Sequence, residues 1–389
     1  MCSSDLMVMN VKVFFILLIF EKNTIPKFSP SCLYDENKKK RHLYTRWHKS
    51  PLKKLKHSPI QLFLARFLLK AVVKIERLMI SLSNFNSLPQ IFRYFKSRLT
   101  CLKFIEEQIY PDGMVACPYC GGLHPYRRSD GRFKCRECGS SFSILQGTIF
   151  QDTKLPLYKW FGAIFLMSVH SKGISSVQAA IDLGVTQKTA WFMLHKIRTT
   201  FRQDTPILDG DVEIDETYVG GRESNKHESK KVEGTQGRST KTKTPVFGML
   251  QREGEVSAMK VENTKADTLM PIIKTCIAKG SVVYTDEAGI YSTLNANGYD
   301  RQVVNHNQKE FVVGKSHTNT IEGFWSLFKR TVFGTYHRVS KHYLQRYVDE
   351  SVFRYNNRYR KGGDRFAALM VNALNVVTFE DVKKVGCVA

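Results

Sequence analysis

The chain has 389 residues, of which 42% are hydrophobic and 12% aromatic, enough for two or three packed domains and too apolar for a disordered tail. Lys and Arg outnumber Asp and Glu by 59 to 35, a net charge of +24. That charge indicates a polyanionic partner, which is either nucleic acid or an acidic membrane surface. The alternative is a basic protein that has no such partner. Two CxxC pairs among nine cysteines favour a reduced protein with one metal site over a disulfide scaffold.

The first 88 residues read as a basic extension without a clear fold. Residues 1–100 hold 19 Lys and Arg against 5 Asp and Glu, a net charge of +14. The apolar run at 11–20 is too short to span a membrane and lacks the flanks of an export signal, so we expect no membrane partner and a cytoplasmic protein. Residues 60–82 predict a basic amphipathic helix of the kind that binds a membrane surface or nucleic acid. The alternative, which we favour, is that this stretch is translated upstream sequence and not part of the working protein.

Four cysteines define a second segment, 89–150, which opens with a short helical stretch at 91–110. They follow the pattern C-x2-C-x14-C-x2-C, and a glycine follows each pair where a tight turn often needs positive φ. Two such turns complete a tetrahedral thiolate site, so the pattern predicts a zinc ribbon with structural Zn2+. A redox or unliganded pair of CxxC motifs is the alternative. The predicted zinc ligands are Cys117, Cys120, Cys135 and Cys138.

Residues 151–205 are predicted to be helical, and 174–201 have the form of a helix-turn-helix. Ser175 or Ser176 can cap a first helix carrying Val177, Ala180 and Ile181, and Gly184 lies at the bend. Thr186 can cap a second helix with its apolar residues at 190, 193, 194 and 197 facing inward. An ordinary helical hairpin is the alternative to DNA binding in the major groove. The expected exposed DNA contacts are Gln187, Lys188, Thr189, Trp191, His195 and Arg198.

Two acids follow apolar strands in the segment 206–375, where the pattern is strand-like from 210 to 305 with one helix near 266–279. Val212 and Ile214 lead into Asp215, and Val282 and Val283 lead towards Asp286. A carboxylate at the end of a buried strand is costly unless it is paired, solvated or bound to a metal. Two such aspartates on neighbouring strands can share divalent cations, and oxygen ligands suit Mg2+ or Mn2+.

A helix near residues 318–330 supplies the third acid. Glu322 and Lys329 lie two turns apart on one face, and Asn319 lies one turn before Glu322 on nearly the same face. We choose Glu322 as the third metal ligand and keep Asn319 as its alternative; Lys329 points to DNA phosphate. Glu216 and Glu287 are interpreted as surface residues or as supports for the site, and His317 as structural. The polar, basic stretch 223–245 reads as a loop that either clamps DNA or is merely solvated.

From about residue 89 onward, the sequence resembles the bacterial insertion-sequence transposases of the DDE type, in the ISXO-like group with an N-terminal zinc ribbon. The resemblance rests on CPYCGG, FKCRECG, residues 147–167, VEIDETYVGG, VVYTDEAGIY, HTNTIEGFWSLFKR and residues 342–358. It implies a ribonuclease-H-like α/β core, a mixed sheet flanked by helices, with Asp215 as first acid and Asp286 as second. Members carry either Asn or Glu as the third residue, followed by Lys.

The resemblance implies metal-dependent cleavage of DNA at transposon ends and strand transfer into target DNA. It implies two catalytic ions, assembly as a homo-oligomer on DNA, and a bacterial, nucleoid-associated location. Three alternatives remain: a zinc-containing DNA-binding regulator, a metal-dependent nuclease of the same fold that cuts without joining, and an inactive remnant. The three acids argue against a regulator, and a joining assay separates a transposase from a nuclease.

Overall fold

In the computed structural model, the described helices and strands belong to the unit Arg77–Ala389 and form two layers. The first layer consists of helices with a small sheet, and the second is a larger sheet flanked by helices. The described residues are 82–110, 113–201, 206–221, 227–232, 241–304 and 317–374. The predicted extension at 1–88 therefore lies outside the described residues except for 82–88, as do the apolar run at 11–20 and most of the polar loop at 223–245. Among the described residues, no helix combines the length and hydropathy needed to cross a bilayer.

The N-terminal part begins with two helices and a small three-stranded antiparallel sheet. The bounds are α1, Leu88–Tyr94; α2, Arg98–Ile109; β1, Tyr126–Arg127; β2, Phe133–Lys134; and β3, Ser141–Phe142. Ser97 caps α2 by accepting a hydrogen bond from the Thr100 N–H at 3.1 Å. Phe95 is fully buried between α1 and α2, and its ring meets Phe161 edge-on at 4.6 Å. The contact between Phe95 and Phe161 joins this N-terminal part to the helices that follow.

Three further helices complete this first layer. They are α3, Leu157–Val169; α4, Ser176–Leu183; and α5, Gln187–Arg198. The predicted caps are confirmed, because Ser175 accepts from the Gln178 N–H at 3.1 Å and Thr186 accepts from the Thr189 N–H at 3.3 Å. Gly184 ends α4 in the left-handed region, with φ of +59°. Helix α3 is buried over most of its length, and it forms the centre of this layer's apolar core.

A mixed five-stranded sheet forms the second part, as the strand-like pattern at 210–305 predicts. Its strands are β4, Asp211–Val219; β5, Thr244–Gln251; β6, Val256–Lys260; β7, Val282–Thr285; and β8, Asp300–Val303. The spatial order is β6-β5-β4-β7-β8; β4, β5 and β6 pair antiparallel, whereas β4, β7 and β8 pair parallel. The α/β fold class is confirmed at this level.

Helices cover both faces of the sheet; β5 is buried along almost its whole length, whereas β4 alternates apolar Val212 and Ile214 with the acids at 211, 213 and 215. The flanking helices are α6, Ala266–Cys276; α7, Asn319–Thr331; and α8, Leu344–Asn356. Val212 and Ile214 pack into a core with α6 on one face. Val219, with β5 and β6, packs against α7 and α8 on the other. The predicted helix near 266–279 and the helical region from 318 to 358 are both present.

The last described helix, α9 (Gly362–Leu374), returns to the first layer. Phe366 and Leu369 of α9 are fully buried and share the apolar cluster that contains α3. The chain order of the two layers is therefore interleaved, since α9 follows the sheet in sequence but packs with the helices that precede it.

Candidate active site and metal centre

The four predicted zinc-binding cysteines meet in one place. The Sγ atoms of Cys117 and Cys138 are 3.7 Å apart, and those of Cys120 and Cys135 are 3.5 Å apart. All four sulfur atoms lie within 4.8 Å of one another. A tetrahedron with Zn–S bonds of about 2.3 Å has edges of roughly 3.8 Å, so the spacing fits one zinc ion held by four thiolates. This arrangement supports structural zinc.

Local backbone geometry explains how the two CxxC turns present their thiols. Gly121 and Gly139 have φ of +77° and +70°, as the sequence pattern predicts. Hydrogen bonds from the Ser140 hydroxyl and backbone N–H lower the pKa of the Cys138 thiol to about 6. A backbone hydrogen bond from Gly122 lowers the pKa of the Cys120 thiol, but hydrogen bonds with Cys138 and Cys135 outweigh it and raise that pKa to about 12. Thiolates are the form that binds zinc, and of these two thiols Cys138 ionises the more readily.

The two predicted aspartates lie side by side on adjacent parallel strands, but Asp215 lies inside β4 and not at its end as predicted, because β4 continues to Val219. The register of β4 and β7 pairs Glu213 with Tyr284. Two residues further along each strand are Asp215 and Asp286, so the register places them at the same level, with β7 ending at Thr285. Asp286 begins a turn in which its Oδ1 accepts from the Ala288 N–H at 3.0 Å. The two acids thus come from adjacent strands, as predicted.

Helix α7 is fixed to β4 by a buried carboxylate that sequence reasoning missed. Glu213 is fully buried, and its oxygens accept hydrogen bonds from the Ile321 N–H at 2.9 Å and the Thr320 N–H at 3.0 Å. The Arg252 Nε donates to it at 2.8 Å, and His317 Nδ1 lies 3.3 Å away. A carboxylate at a helix N-terminus satisfies its free N–H groups and suits its dipole. Glu213 therefore caps the helix that carries Glu322.

A glycine sets the distance between this helix and the sheet. Gly248 of β5 pairs with Asp215 across the ladder. A Cβ atom at Gly248 would lie 2.8 Å from Trp325 Cη2, closer than real side chains approach. Trp325 is 3% exposed and packs over this gap. The absence of a side chain at 248 thus lets α7 lie close to the strand that carries Asp215.

Glu322 and Lys329 face the same cavity as Asp215. The cavity has a volume of about 700 Å³, and its lining includes Asp215, Glu216, Glu322 and Lys329. Glu322 is exposed and its Oε1 accepts from the Thr318 hydroxyl at 3.0 Å. Asn319, the alternative third ligand, is exposed at the first residue of α7, and neither Asn319 nor Asp286 is part of this lining. The cavity therefore favours Glu322 over Asn319 as the partner of Asp215.

Electrostatics confirm that the carboxylates act on one another. Burial, and after it the charges of Glu216, Asp286 and Glu322, together raise the pKa of Asp215 to about 7. A concentration of negative charge of this kind is the donor set that hard divalent cations prefer. Within the described residues, only the cysteine cluster already brings three or more ligating atoms within 4.8 Å of one another. Sharing an ion therefore requires rotation of the carboxylate side chains.

The acids next to the two aspartates differ from each other. Glu216 is half-buried and accepts a hydrogen bond from the Tyr291 hydroxyl, and Tyr291 is 1% exposed. Glu216 is thus tied to the segment after Asp286 and supports the site, whereas Glu287 is exposed. Arg301 holds the same segment by donating to the Asp286 carbonyl at 3.0 Å and to the Ala288 carbonyl at 3.2 Å.

The predicted DNA contacts on α5 divide into exposed and buried residues. Gln187 and Lys188 are exposed, Thr189 is half-buried and Trp191 is 39% exposed. The prediction of exposed contacts at His195 and Arg198 is wrong, because each is only 2% exposed. Helix α8 covers this side of α5. Of the apolar residues noted for α4, Val177 and Ile181 are 59% and 70% exposed, while Ala180 fills the core with Ala179 and Leu183.

His195 and Arg198 serve the packing of α5 on α8. The Arg198 Nε donates to Glu350 at 2.8 Å, and Glu350 is fully buried. Burial would raise the pKa of Glu350, but the charges of Arg198 and Arg354 outweigh it and lower the pKa to about 2. Burial, followed by the charge of Arg198, lowers the pKa of His195 to about 3, so this imidazole is neutral. Its Nε2 lies 3.2 Å from the Tyr347 hydroxyl.

The residues that sequence reasoning missed share one property. Glu213, Gly248 and Glu350 act through partners more than 75 positions away in the chain or across a sheet. Glu213 carried no local signal, since it alternates with Val212 and Ile214 and shares its side of the strand with Asp211 and Asp215. This alternation predicts a polar face, and only the long-range partners explain its burial.

Comparison with known proteins agrees with this geometry. The model of the ISXO2-like transposase domain matches residues 207–356, which contain all three acids, and that of the transposase zinc-ribbon domain matches residues 97–141. An uncharacterized protein in transposable element ISH50 of Halobacterium salinarum is 30% identical over 246 residues, 60% of this chain and 83% of the relative. An uncharacterized transposase-like protein of Haemophilus influenzae is 29% identical over 103 residues, 26% of this chain and 82% of the relative.

A solved structure gives a weaker match. One chain of a simian T-cell lymphotropic virus intasome in complex with PP2A regulatory subunit B56 gamma aligns with a TM-score of 0.23 and 11% identity. The alignment covers 45% of this chain and 63% of that one, which is too low a score to compare the folds. The family models and the relative from Halobacterium salinarum carry the assignment instead: the chain belongs to the ISXO2-like transposases of insertion sequences.

Proposed function

We propose that this transposase cleaves DNA at the ends of its insertion sequence and joins those ends to target DNA by DDE-type chemistry. The observation that carries the proposal is the convergence of Asp215 inside β4, Asp286 directly after the parallel strand β7, and Glu322 in the docked helix α7. Their mutual charge helps to hold the pKa of Asp215 near 7, which is unfavourable in a protein that does nothing with it. The order strand, strand, helix also supports a ribonuclease-H-like core.

The residues fit divalent cations of the Mg2+ or Mn2+ type. Asp215 and Asp286 would hold ions between β4 and the end of β7, and Glu322 would complete the donor set from α7. When bound, two such ions activate an attacking oxygen and stabilise a leaving oxygen in an in-line displacement. Lys329, on the same face of α7 as Glu322, supplies a positive charge for a DNA phosphate beside the carboxylates.

Two displacements at phosphorus account for the reaction. In the first, a water oxygen attacks the phosphodiester at the element's end, and the bond to the 3′-oxygen breaks, leaving a 3′-hydroxyl. In the second, this hydroxyl attacks a phosphodiester of target DNA, and the 3′-oxygen of the target strand leaves. Each step forms one P–O bond and breaks one. No covalent bond to the protein is needed, which agrees with a cavity whose reactive groups are carboxylates.

DNA binding outside the cavity is assigned to α4 and α5 and to the zinc ribbon. We propose that α4 and α5 act as a helix-turn-helix with α5 in the major groove. The exposed residues near the start of α5, Gln187, Lys188, Thr189 and Trp191, would make the contacts, as helix N-terminal residues do in such complexes. Assembly as a homo-oligomer on paired ends stays a prediction.

The test uses purified full-length protein and a DNA fragment that carries the gene's own flanks. Wild type is expected to cut the fragment in Mg2+ and to join it to a target plasmid, and Asp215→Asn is expected to do neither. Asp267→Asn, an exposed aspartate in α6 on the opposite face of the sheet, makes the same chemical change away from the cavity and should keep both activities.

The other outcomes separate the alternatives. Cutting without joining in wild type would identify a nuclease of the same fold. Tight binding without chemistry, equal in wild type and Asp215→Asn, would identify a regulator or an inactive remnant. Equal cutting by wild type and Asp215→Asn would remove Asp215 from the reaction.

A further inference from the structure

One exposed stripe of α7 and the turn after it joins an acid, two cations and an aromatic ring. Glu322, Ser326, Lys329, Arg330 and Phe333 recur at steps of three and four residues, so they lie on one side of the helix. All five line the cavity that contains Asp215. At about 1.5 Å per residue, Lys329 lies roughly 10 Å and Phe333 roughly 16 Å along the axis from Glu322.

Phe333 is unlike the other phenylalanines of this segment. Its ring is 53% exposed, whereas Phe324 and Phe328 of α7 are 2% and 1% exposed. An aromatic ring that stays exposed inside a cavity lacks the favourable free energy that burial of its apolar surface would give. This exposure suggests that a bound ligand covers the ring.

The backbone holds this ring in a fixed place. Phe333 lies in a π-turn, Val332–Tyr336, a conformation that is frequent at functional sites. Val332 is buried at 3% exposure, and the Thr335 hydroxyl donates to the Lys172 carbonyl at 2.9 Å. The Tyr336 hydroxyl donates to buried Glu350 at 2.7 Å. The turn is therefore anchored on both sides of Phe333, and the ring is presented by a rigid support.

We propose that Phe333 stacks on a nucleobase that has left the duplex stack close to the reacting phosphate. A base inside a duplex is covered on both faces by its neighbours, so a protein ring can stack only on an extruded or terminal base. Lys329 and Arg330, between Glu322 and Phe333, bind the intervening phosphates. The roughly 16 Å from Glu322 to Phe333 equals about five nucleotides of a duplex strand at 3.4 Å each, so the base belongs to the reacting end.

The inference deepens the proposed function, because it names the part of the DNA that the cavity holds. It adds a specificity-determining contact to a site otherwise described by its acids. The cavity's volume of about 700 Å³ leaves room for a base beside the phosphate that the acids act on.

Photocrosslinking gives the direct test and does not require catalysis. Asp215→Asn protein is bound to the flanking-DNA fragment in which 5-iodouracil replaces one thymine at a time, and crosslinked peptides are identified by mass spectrometry after irradiation. We expect crosslinks to Phe333 from one or two neighbouring positions. The double variant Asp215→Asn/Phe333→Leu should bind the fragment and lose these crosslinks. Crosslinks that fall only on other residues, with the DNA bound, would overturn the proposal.

Cleavage rates give a second, independent test in the otherwise wild-type protein. Phe333→Leu keeps an apolar side chain but cannot stack, and we expect it to cut the paired fragment roughly tenfold more slowly or worse, whereas Phe333→Trp should restore the rate. Mismatches that unpair the bases about five nucleotides from the cut should recover part of the loss in Phe333→Leu. Tyr359→Leu, which removes a ring that is 84% exposed outside the cavity, is the matched control.

Failure of the inference and failure of the proposed function give different results. If wild type does not cut DNA but the Phe333 crosslinks form, the proposed chemistry fails and the base contact stands. If wild type cuts and Phe333→Leu cuts equally fast, the base contact fails and the chemistry stands.

Discussion

The buried carboxylate of Glu213 accepts the backbone N–H of Ile321 at 2.9 Å, so the strand that carries Asp215 caps the helix that carries Glu322. Asp215 lies two positions after Glu213 in β4, and Glu322 directly follows Ile321 in α7. A shift of either element would therefore move both the cap and the acid pair. This single contact fixes the third acid relative to the first.

Glu213→Gln should weaken both the fold and the binding of divalent cations. The amide keeps one acceptor oxygen but presents N–H groups to Arg252 and the helix N-terminus, and breaking a buried ion pair costs about 3–5 kcal/mol. We expect the free energy of unfolding in urea to fall by about that amount, and the Mg2+ concentration for half-maximal cleavage to rise. Glu262→Gln, at an exposed position, is the control. An unchanged Mg2+ midpoint in Glu213→Gln would limit Glu213 to a structural role.

Gly248→Ala should separate α7 from the sheet. The added Cβ would press on the Trp325 ring, which is buried and has no space to yield. Overpacking of this kind costs about 1–3 kcal/mol, and the displaced helix should slow cleavage more than tenfold. Gly323→Ala, where a Cβ meets nothing within 4 Å, should instead leave stability equal or raise it by about 0.5–1 kcal/mol. Melting temperatures and cleavage rates of Gly248→Ala and Gly323→Ala test this prediction.

Asp215→Asn should stabilise the metal-free protein at alkaline pH. The folded-state pKa of Asp215, about 7, lies above its ordinary value of 3.8, so ionisation disfavours the folded state and wild type loses stability as pH rises from about 4 to 7. In EDTA we expect the variant to be more stable than wild type at pH 8, by the order of 1–3 kcal/mol, and equal to it near pH 4. Added Mg2+ should stabilise wild type alone. A variant less stable than wild type at pH 8 in EDTA would contradict this account.

Glu350→Gln should destabilise the contact between α5 and α8 with the opposite pH dependence. The folded-state pKa of Glu350, about 2, lies below its ordinary value of 4.5, so its contribution is present above pH 4.5 and is lost as pH falls towards 2. We expect wild type to exceed the variant by about 3–5 kcal/mol at pH 7, with the difference shrinking below pH 4.5. Urea titrations at several pH values measure it, and a difference that does not depend on pH would argue against an ion pair.

Cys135→Ser should release zinc and weaken DNA binding. Cys135 is 2% exposed and its Sγ lies 3.5 Å from that of Cys120, so a serine hydroxyl replaces one of four thiolates at the centre of the cluster. Zinc content by mass spectrometry should fall well below one ion per chain. Cys276→Ser makes the same change at a buried cysteine of α6 outside the cluster and should retain the zinc. Full zinc content in Cys135→Ser would refute the four-thiolate site.

Local patterns in the sequence predicted most of the elements and the positions of the metal-binding side chains. The caps at Ser175 and Thr186 could be predicted because their hydrogen bonds join residues within four positions of each other. The cysteine turns could be predicted from the spacing of the cysteines alone. The same locality explains why Asp215 and Asp286 were found, since each directly continues an apolar strand. Parallel pairing of β4 and β7 then brings them to one level.

Long-range packing explains what local patterns missed. His195 and Arg198 have polar side chains on a helix with an exposed polar face, so spacing suggests solvent or DNA. Their burial depends on Glu350 and Tyr347, which lie 152 residues later in the chain. The exposure of Val177 and Ile181 has the same origin, because the neighbours of α4 determine which of its sides is covered.

The buried ion cluster of Arg198, Glu350 and Arg354 has a geometric consequence. Arg198 ends α5, Glu350 also receives the hydroxyl of Tyr336 just beyond α7, and Arg354 donates to the His170 carbonyl at the end of α3 at 2.9 Å. Helices before and after the sheet are thus clamped to one point. Under the proposed function, this clamp sets the length of DNA between the sequence bound by α5 and the phosphate cut beside α7, whatever bases that DNA contains.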